Sequence, residues 1–234
     1  MNEVKSNLKE IKTFSRSAVW QSHILMEIKT IIVNNQSNKL EPKKNTNIII
    51  SGGMTPIPIY QKLHQLKVDW SSVNFWLADE RCVPLSHSDS NFLQIFQVID
   101  VTNLKPFKFI NMFDGKSCVA SKNYSKILQK VEVFDLAILG IGEDGHTASL
   151  FPGNELGESS NSADVLFVNN SPKPPEKRIT LSLNKINQTD HILFLVSGSK
   201  KREIIDRILT CEDLPASKVK GRKTTTIYYL MENQ

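Results

Sequence analysis

The sequence predicts an α/β fold: a Rossmann-like, mostly parallel sheet flanked by helices on both faces. Three observations carry this reading. Short apolar runs alternate with helix-like segments, the pattern of parallel strands joined by crossover helices. Several runs, such as Phe134-Asp135-Leu136-Ala137-Ile138-Leu139, are apolar at successive positions, as strands covered on both faces require. Four runs are followed at once by glycine-rich or charged residues, and an open parallel sheet binds its ligands beyond the carboxyl ends of its strands. The 234 residues read as one domain spanning 1–234.

An amphipathic helix comes first, with Ala18, Val19, Leu25, Ile28, Ile31 and Ile32 near helical spacing and the polar stretch 34–38 closing it. Strands follow at 47–50, 73–78, 134–139, 165–168 and 191–196, and a last one at 224–230 is expected at a sheet edge. Helices fit at 56–66, 90–98, 117–130 and 199–209, with the Ser88-Asp89-Ser90-Asn91 cluster capping the second of these.

A hydrophobic fraction of 40% with three Trp and eleven Phe supplies a sizeable core, and 23% charged residues suit a soluble globular chain. No apolar run is long enough to span a membrane, and the N-terminal Met1-Asn2-Glu3-Val4-Lys5 is polar, so a cytoplasmic protein without a membrane partner is expected. Cys82, Cys118 and Cys211 are odd in number and lack ligand-like spacing, which argues for buried or incidental thiols and against a disulfide framework or a zinc site.

The net charge of +5 is unevenly placed: residues 1–170 carry 17 basic and 17 acidic side chains, whereas residues 171–234 carry 12 and 7. The C-terminal excess falls in three clusters, Lys173/Lys177/Arg178, Lys200/Lys201/Arg202 and Lys218/Lys220/Arg222/Lys223. Such clusters suit a metabolite phosphate, a nucleic-acid backbone or a solvated face. None interleaves stacking aromatics or matches a nucleic-acid module, so no nucleic-acid partner is expected.

Four strand-end loops stand out, and parallel strands would bring them to one rim. In Ser51-Gly52-Gly53-Met54-Thr55-Pro56, the glycines permit a tight turn, and Thr55 before Pro56 has the form of an N-cap and first helical residue. That arrangement is either a plain strand-to-helix turn or an anion site. Asp79-Glu80-Arg81 aims an arginine fork at a substrate oxygen or makes a local ion pair. Ser197-Gly198-Ser199-Lys200 is the third. The fourth, residues 140–152, places His146 after a buried strand with Asp144 two positions earlier. An imidazole there suits general-base work, and the carboxylate can fold round to orient it. Ser149 lacks a Gly-x-Ser-x-Gly elbow and is read as a capping or packing residue. His146, Asp144 and Glu143 are crowded into one turn with no second histidine at a ligand-like interval, so no metal is expected.

These segments carry a resemblance. Ser-Gly-Gly-Met-Thr-Pro at 51–56, Asp-Glu-Arg-Cys-Val-Pro at 79–84 with Ser90-Asn91, Gly-Ile-Gly-Glu-Asp-Gly-His-Thr-Ala-Ser-Leu-Phe-Pro-Gly at 140–153, Ser-Pro-Lys-Pro-Pro-Glu-Lys-Arg-Ile-Thr-Leu at 171–181 and Leu-Pro-Ala-Ser at 214–217 resemble the 6-phosphogluconolactonases, part of the larger family shared with glucosamine-6-phosphate deaminases. The resemblance spans nearly the whole chain. It implies a NagB/RpiA-type sheet and cofactor-free hydrolysis of 6-phosphoglucono-δ-lactone, a phosphorylated sugar lactone, by a monomer or weak homo-oligomer.

By the same resemblance, His146 activates water and Asp144 holds the imidazole. Arg81 and the amides of Gly52 and Gly53 are candidates for stabilising the oxyanion. Arg178 and Lys200 form the phosphate site with Lys173 and Thr55 nearby, and Lys218 to Lys223 is left as solvated surface. Met54 stands where the family usually has serine or threonine, which leaves its backbone amide as the phosphate-loop donor. Lys201 follows Lys200 where a small residue is common, leaving open which lysine faces the substrate. The end of the chain, 230–234, lacks the family's usual acidic and alanine-rich finish. Deaminases typically continue Asp-Gly-His with Asn-Glu-Pro, whereas this chain continues with Thr147-Ala148-Ser149-Leu150-Phe151-Pro152, the hydrolase form. A deaminase or isomerase, and a catalytically silent sugar-phosphate sensor, are the alternatives.

Overall fold

The computed structural model describes residues 9–37, 45–99, 108–110, 112 and 120–231. Seven parallel strands make its main sheet: β1 (Glu10–Phe14), β2 (Thr46–Ile50), β3 (Val73–Leu77), β5 (Lys108–Ile110), β6 (Phe134–Leu139), β9 (Thr189–Ser197) and β10 (Thr224–Leu230), in the order β1-β10-β9-β6-β2-β3-β5. The central strands are buried along their length, and β2 and β6 have no exposed residue. Their register sets Ile48 beside Leu136 and Ile50 beside Ile138. Backbone hydrogen bonding inside the sheet therefore leaves both faces of these strands free to pack apolar side chains.

Helix α1 (Ser17–Ser37) buries Trp20, Ile24, Ile28, Ile31 and Ile32. The spacing of three and four lays them on one face, and each fully buried isoleucine contributes roughly 1.5–3 kcal/mol of transfer free energy. Trp20 also donates its indole N–H to the Tyr228 carbonyl at 3.0 Å, fixing the helix to β10.

The chain leaves β2 towards β3 and β5 on one side, then returns to β6 and continues through β9 and β10 on the other. Neighbouring β2 and β6 are thus a topological switch point, where crossovers depart in opposite directions and a crevice opens beyond the carboxyl ends. The loops at 51–56 and 140–146 flank it.

Several elements differ from expectation. The 224–230 strand is interior, because β1, formed by the alternating Glu-Ile-Lys-Thr-Phe segment, pairs outside it. The 165–168 strand, β7 (Val165–Val168), does not join the main sheet. It forms an antiparallel three-stranded sheet with β8 (Arg178–Leu181) and β4 (Asp79–Arg81), so the Asp-Glu-Arg segment is a strand, not a loop. The predicted 56–66 helix is a four-residue α2 (Ile57–Tyr60) followed by a 3-10 turn. Helix α3 (Asn91–Val98) starts as expected, with the Ser90 hydroxyl accepting from the Leu93 amide at 3.2 Å. The 117–130 helix is observed as α4 (Ala120–Leu128), and 117–119, with Cys118, lie outside the described residues, as do 232–234. The 199–209 helix is a 3-10 turn leading into α6 (Arg202–Leu209). Helices α5 (Leu183–Ile186) and α7 (Pro215–Lys218) are single turns.

Among the described residues no helix is long and apolar enough to cross a membrane. Cys211 is exposed and Cys82 partly buried.

Candidate active site

The loops at 51–56 and 140–146, strand β4 and Ser197 at the end of β9 meet at one cavity of about 260 Å³, small enough to suit a single metabolite. Gly52, Gly53, Met54 and Thr55 form one wall. Gly52 is required by close packing: a Cβ there would stand 1.9 Å from Asn91 Oδ1. Gly53 adopts φ +95, which only glycine takes without strain. The amides of Gly52, Gly53 and Met54 donate to no group among the described residues, so they remain available to a ligand oxygen. Thr55 is not the helix cap. Pro56 holds that position without a side-chain hydrogen bond, and the Thr55 hydroxyl turns to Ser197 Oγ at 3.4 Å. A four-residue helix gives little dipole, so any anion binding here rests on the free amides. Met54 projects into solvent at 83% exposure, and its thioether adds nothing to the cavity's polar lining.

On the second wall, β4 sorts its three charged residues by height. Glu80 is fully buried and accepts from the amides of Arg81, Asn91 and Phe92, each at 2.7 Å, and from Ser90 Oγ at 3.1 Å. Burial raises its pKa against these hydrogen bonds. It fastens β4 to the start of α3 and does not face the cavity. Arg81 does, with Nη1 on the Asp89 carbonyl at 2.7 Å and Nε without a partner. The local ion pair with its acidic neighbours is not made.

The antiparallel sheet sets Arg81 directly opposite Arg178. Like charges in register repel, so this pairing favours an anion between them. Arg178 is buried: Nε donates to the Pro175 carbonyl at 3.0 Å and Nη2 to those of Lys173 at 2.9 Å and Pro174 at 3.3 Å. Most of its fork therefore shapes the turn carrying Lys173, and Nη1 is left for a ligand. Its guanidinium lies 5.6 Å from the centre of the Phe151 ring, and burial lowers its pKa.

His146 lies across from these cations. Its Nδ1 meets Asp144 Oδ1 at 2.5 Å, and its ring packs 4.7 Å from that of Phe151, centre to centre. The loop is tight, with the Gly142 amide donating to the His146 carbonyl at 2.8 Å and Gly145 at φ +83. With Nδ1 engaged by the carboxylate, Nε2 is the nitrogen free to exchange protons. Burial pulls the His146 pKa below the ordinary value, outweighing the opposite pull of Asp144, which favours the neutral, proton-accepting form near pH 7. Burial pushes the Asp144 carboxyl up, but its hydrogen bond to His146 and that ring's charge win and hold it below the ordinary value.

Of the two adjacent lysines, Lys201 enters the cavity and Lys200 does not. Lys201 Nζ donates to the Ile141 carbonyl at 2.9 Å, with its pKa lowered by burial. Lys200 lines a separate surface depression with Glu143, Glu203 and Arg207. The 3-10 turn after Gly198 decides this, since consecutive residues on it point about 120° apart. The remaining basic cluster is largely neutralised: Lys218 pairs with Glu158 and Asp213, and Arg222 and Lys223 with Asp190. Ser149 packs as expected, donating to Asp79 Oδ2 at 2.6 Å.

The sequence reading missed Asp79 and Asn91 as cavity residues, seeing an ion-pair partner and a helix-capping segment. The paired positions after strand and cap were the available signal. Among the described residues no three His, Cys, Asp or Glu side chains are grouped to hold a metal ion.

Fold and site define an α/β protein of the switch-point type that holds a histidine–aspartate pair against a ring of cations. A family model described as glucosamine-6-phosphate isomerases/6-phosphogluconolactonase matches residues 20–228. A 6-phosphogluconolactonase of Thermotoga maritima is 37% identical over 191 residues, covering 80% of this chain and 84% of its own. One of Neisseria meningitidis serogroup A is 32% identical over 177 residues, covering 72% and 76%. The crystal structure of 6-phosphogluconolactonase from Thermotoga maritima aligns with a TM-score of 0.82 at 28% identity, covering 96% of this chain and 100% of that one. The chain belongs to the glucosamine-6-phosphate isomerase/6-phosphogluconolactonase family.

Proposed function

We propose that this chain hydrolyses the internal ester of 6-phosphoglucono-δ-lactone to 6-phosphogluconate, the second step of the oxidative pentose phosphate route. The observation that carries the reading is His146 held by Asp144 at 2.5 Å in a cavity whose cations are Arg81, Lys173, Arg178 and Lys201. His146 Nε2 takes a proton from water as the oxygen attacks the lactone carbonyl. The tetrahedral oxyanion is stabilised by Arg81 and by the free amides of Gly52 and Gly53. Its collapse breaks the bond to the ring oxygen, and the imidazolium returns the proton to that leaving oxygen, which restores the starting state. Arg178, Lys173 and Lys201 hold the phosphate, with Met54 contributing its amide and Thr55 its place in the wall.

Water and protein groups suffice for this chemistry, with no cofactor or metal. The chain acts as a single domain, monomeric or weakly self-associated, in the cytoplasm and without a membrane partner; the ion pairing of Lys218, Arg222 and Lys223 supports the absence of a nucleic-acid partner. The Thr-Ala-Ser-Leu-Phe-Pro continuation after His146, in place of the Asn-Glu-Pro typical of deaminases, favours hydrolysis over deamination. Freshly generated lactone, followed for loss above its spontaneous rate, tests the proposal, with ammonia release from glucosamine 6-phosphate as the control. Acceleration without ammonia is expected. Ammonia release with no acceleration of lactone loss would replace the reading with the deaminase one.

A further inference from the structure

The cavity's charged lining is cationic at every position but one. Asp79 is its single carboxylate among the described residues. Only 5% exposed, it accepts from Ser149 Oγ at 2.6 Å on one oxygen and from Asn91 Nδ2 at 3.2 Å on the other. Although Arg81 and Arg178 line the same cavity, neither makes an ion pair with it. Neutral donors hold this carboxylate in place, and of the roughly four acceptor positions on its two oxygens they fill two.

Its orientation is firmly set. Ser149 is fully buried, and its own amide donates to Thr180 Oγ1 at 3.3 Å. Asn91 cannot exchange its amide ends, since Nδ2 also donates to the Asp79 carbonyl at 2.9 Å and a flip would set oxygen against oxygen. The charge of Asp79 is felt by both His146 and Arg178, so it stands within reach of the base and of the anion end. An anionic group is repelled at such a place. A hydroxyl is attracted, because hydrogen bonds to an ionised acceptor are short and strong.

We infer that Asp79 is a specificity-determining residue, accepting a hydrogen bond from a ring hydroxyl of the sugar and so fixing which end of the substrate meets the cations. This rests on the lactonase reading. The carboxylate favours a polyhydroxylated ring with its single phosphate directed elsewhere, and rejects rings that lack the matched hydroxyl.

The test compares initial rates on 6-phosphogluconolactone and its 2-, 3- and 4-deoxy analogues, for the unaltered protein and for Asp79→Asn. The unaltered protein should lose on the order of 10- to 100-fold in kcat/KM on at least one analogue. In Asp79→Asn, that discrimination should shrink by roughly fivefold or more, because a neutral hydrogen bond is about half as strong. Equal discrimination in both proteins, or none in the unaltered one, overturns the inference. Where Asp79→Asn does not fold, Ser149→Ala decides. It keeps the carboxylate and removes the shorter of its two side-chain anchors, freeing Oδ2 to turn, so reduced discrimination supports the role and undiminished discrimination overturns it. Failure of the lactonase reading is separately visible as parent lactone lost only at its spontaneous rate.

Discussion

Gly142→Ala would drive a methyl group into the proposed acid–base pair. A Cβ at this position would stand 2.0 Å from His146 Nδ1, 2.2 Å from its Cε1 and 2.5 Å from Asp144 Oδ1. Gly142 is not among the glycines with positive φ, so alanine meets no conformational penalty and the steric cost falls on the pair. Non-bonded contacts settle near 3.5–4.0 Å, which requires the imidazole to retreat by roughly 1.5 Å. A misplacement of about 1 Å costs on the order of 10²-fold in rate. Loss of the orienting hydrogen bond to a partly exposed carboxylate adds roughly another tenfold. The expected fall in kcat is therefore about 10²- to 10³-fold. Loss of lactone above the spontaneous rate measures it, with a thermal melt and 6-phosphogluconate binding on the same sample to establish that the fold persists. A folded variant with kcat within a few-fold of the unaltered protein would refute the claim that the His146–Asp144 geometry limits turnover.

The other predictions concern charge. Arg178→Ala should raise KM by roughly 10- to 100-fold with a smaller effect on kcat, since phosphate contacts remote from the ester act in ground and transition states alike; an unchanged KM removes Arg178 from the anion site. Lys201→Ala should raise KM while Lys200→Ala leaves it unaltered, and the reverse pattern would return the phosphate contact to Lys200. Because burial depresses His146, kcat/KM should decline only as pH falls through an inflection below the ordinary histidine value of about 6.5. Asp144→Asn removes the charge that favours the imidazolium, so its inflection should move further towards acid and its plateau should drop. Movement towards neutral pH would contradict the pairing.

The parts legible in the sequence are those set by local pattern. Residues 47–50 and 134–139 read as strands because burial on both faces demands unbroken apolar runs, and the loops after them inherit their place from the topology. The antiparallel sheet was not legible. Asp79-Glu80-Arg81 has the composition of a loop, and it becomes a strand because Glu80 finds buried amide donors on α3, a tertiary event with no local signature. The same applies to β1, whose mixed polar residues gain strand form by pairing with β10. Sequence order showed that one of Lys200 and Lys201 could face the site, but the choice depends on the phase of a single 3-10 turn. Asp144 and His146 were readable as neighbours in a glycine-bounded loop. That Nδ1 is the nitrogen engaged required coordinates.

The most direct measurement is the rate of 6-phosphogluconolactone opening by His146→Ala beside the unaltered protein at the same concentration, near pH 7, with 6-phosphogluconate binding measured on both. The account predicts that the variant falls to the spontaneous baseline and still binds product, because the cations that hold the phosphate are untouched. Hydrolysis by His146→Ala near the unaltered rate would contradict it, and the general-base role would pass from His146 to another group.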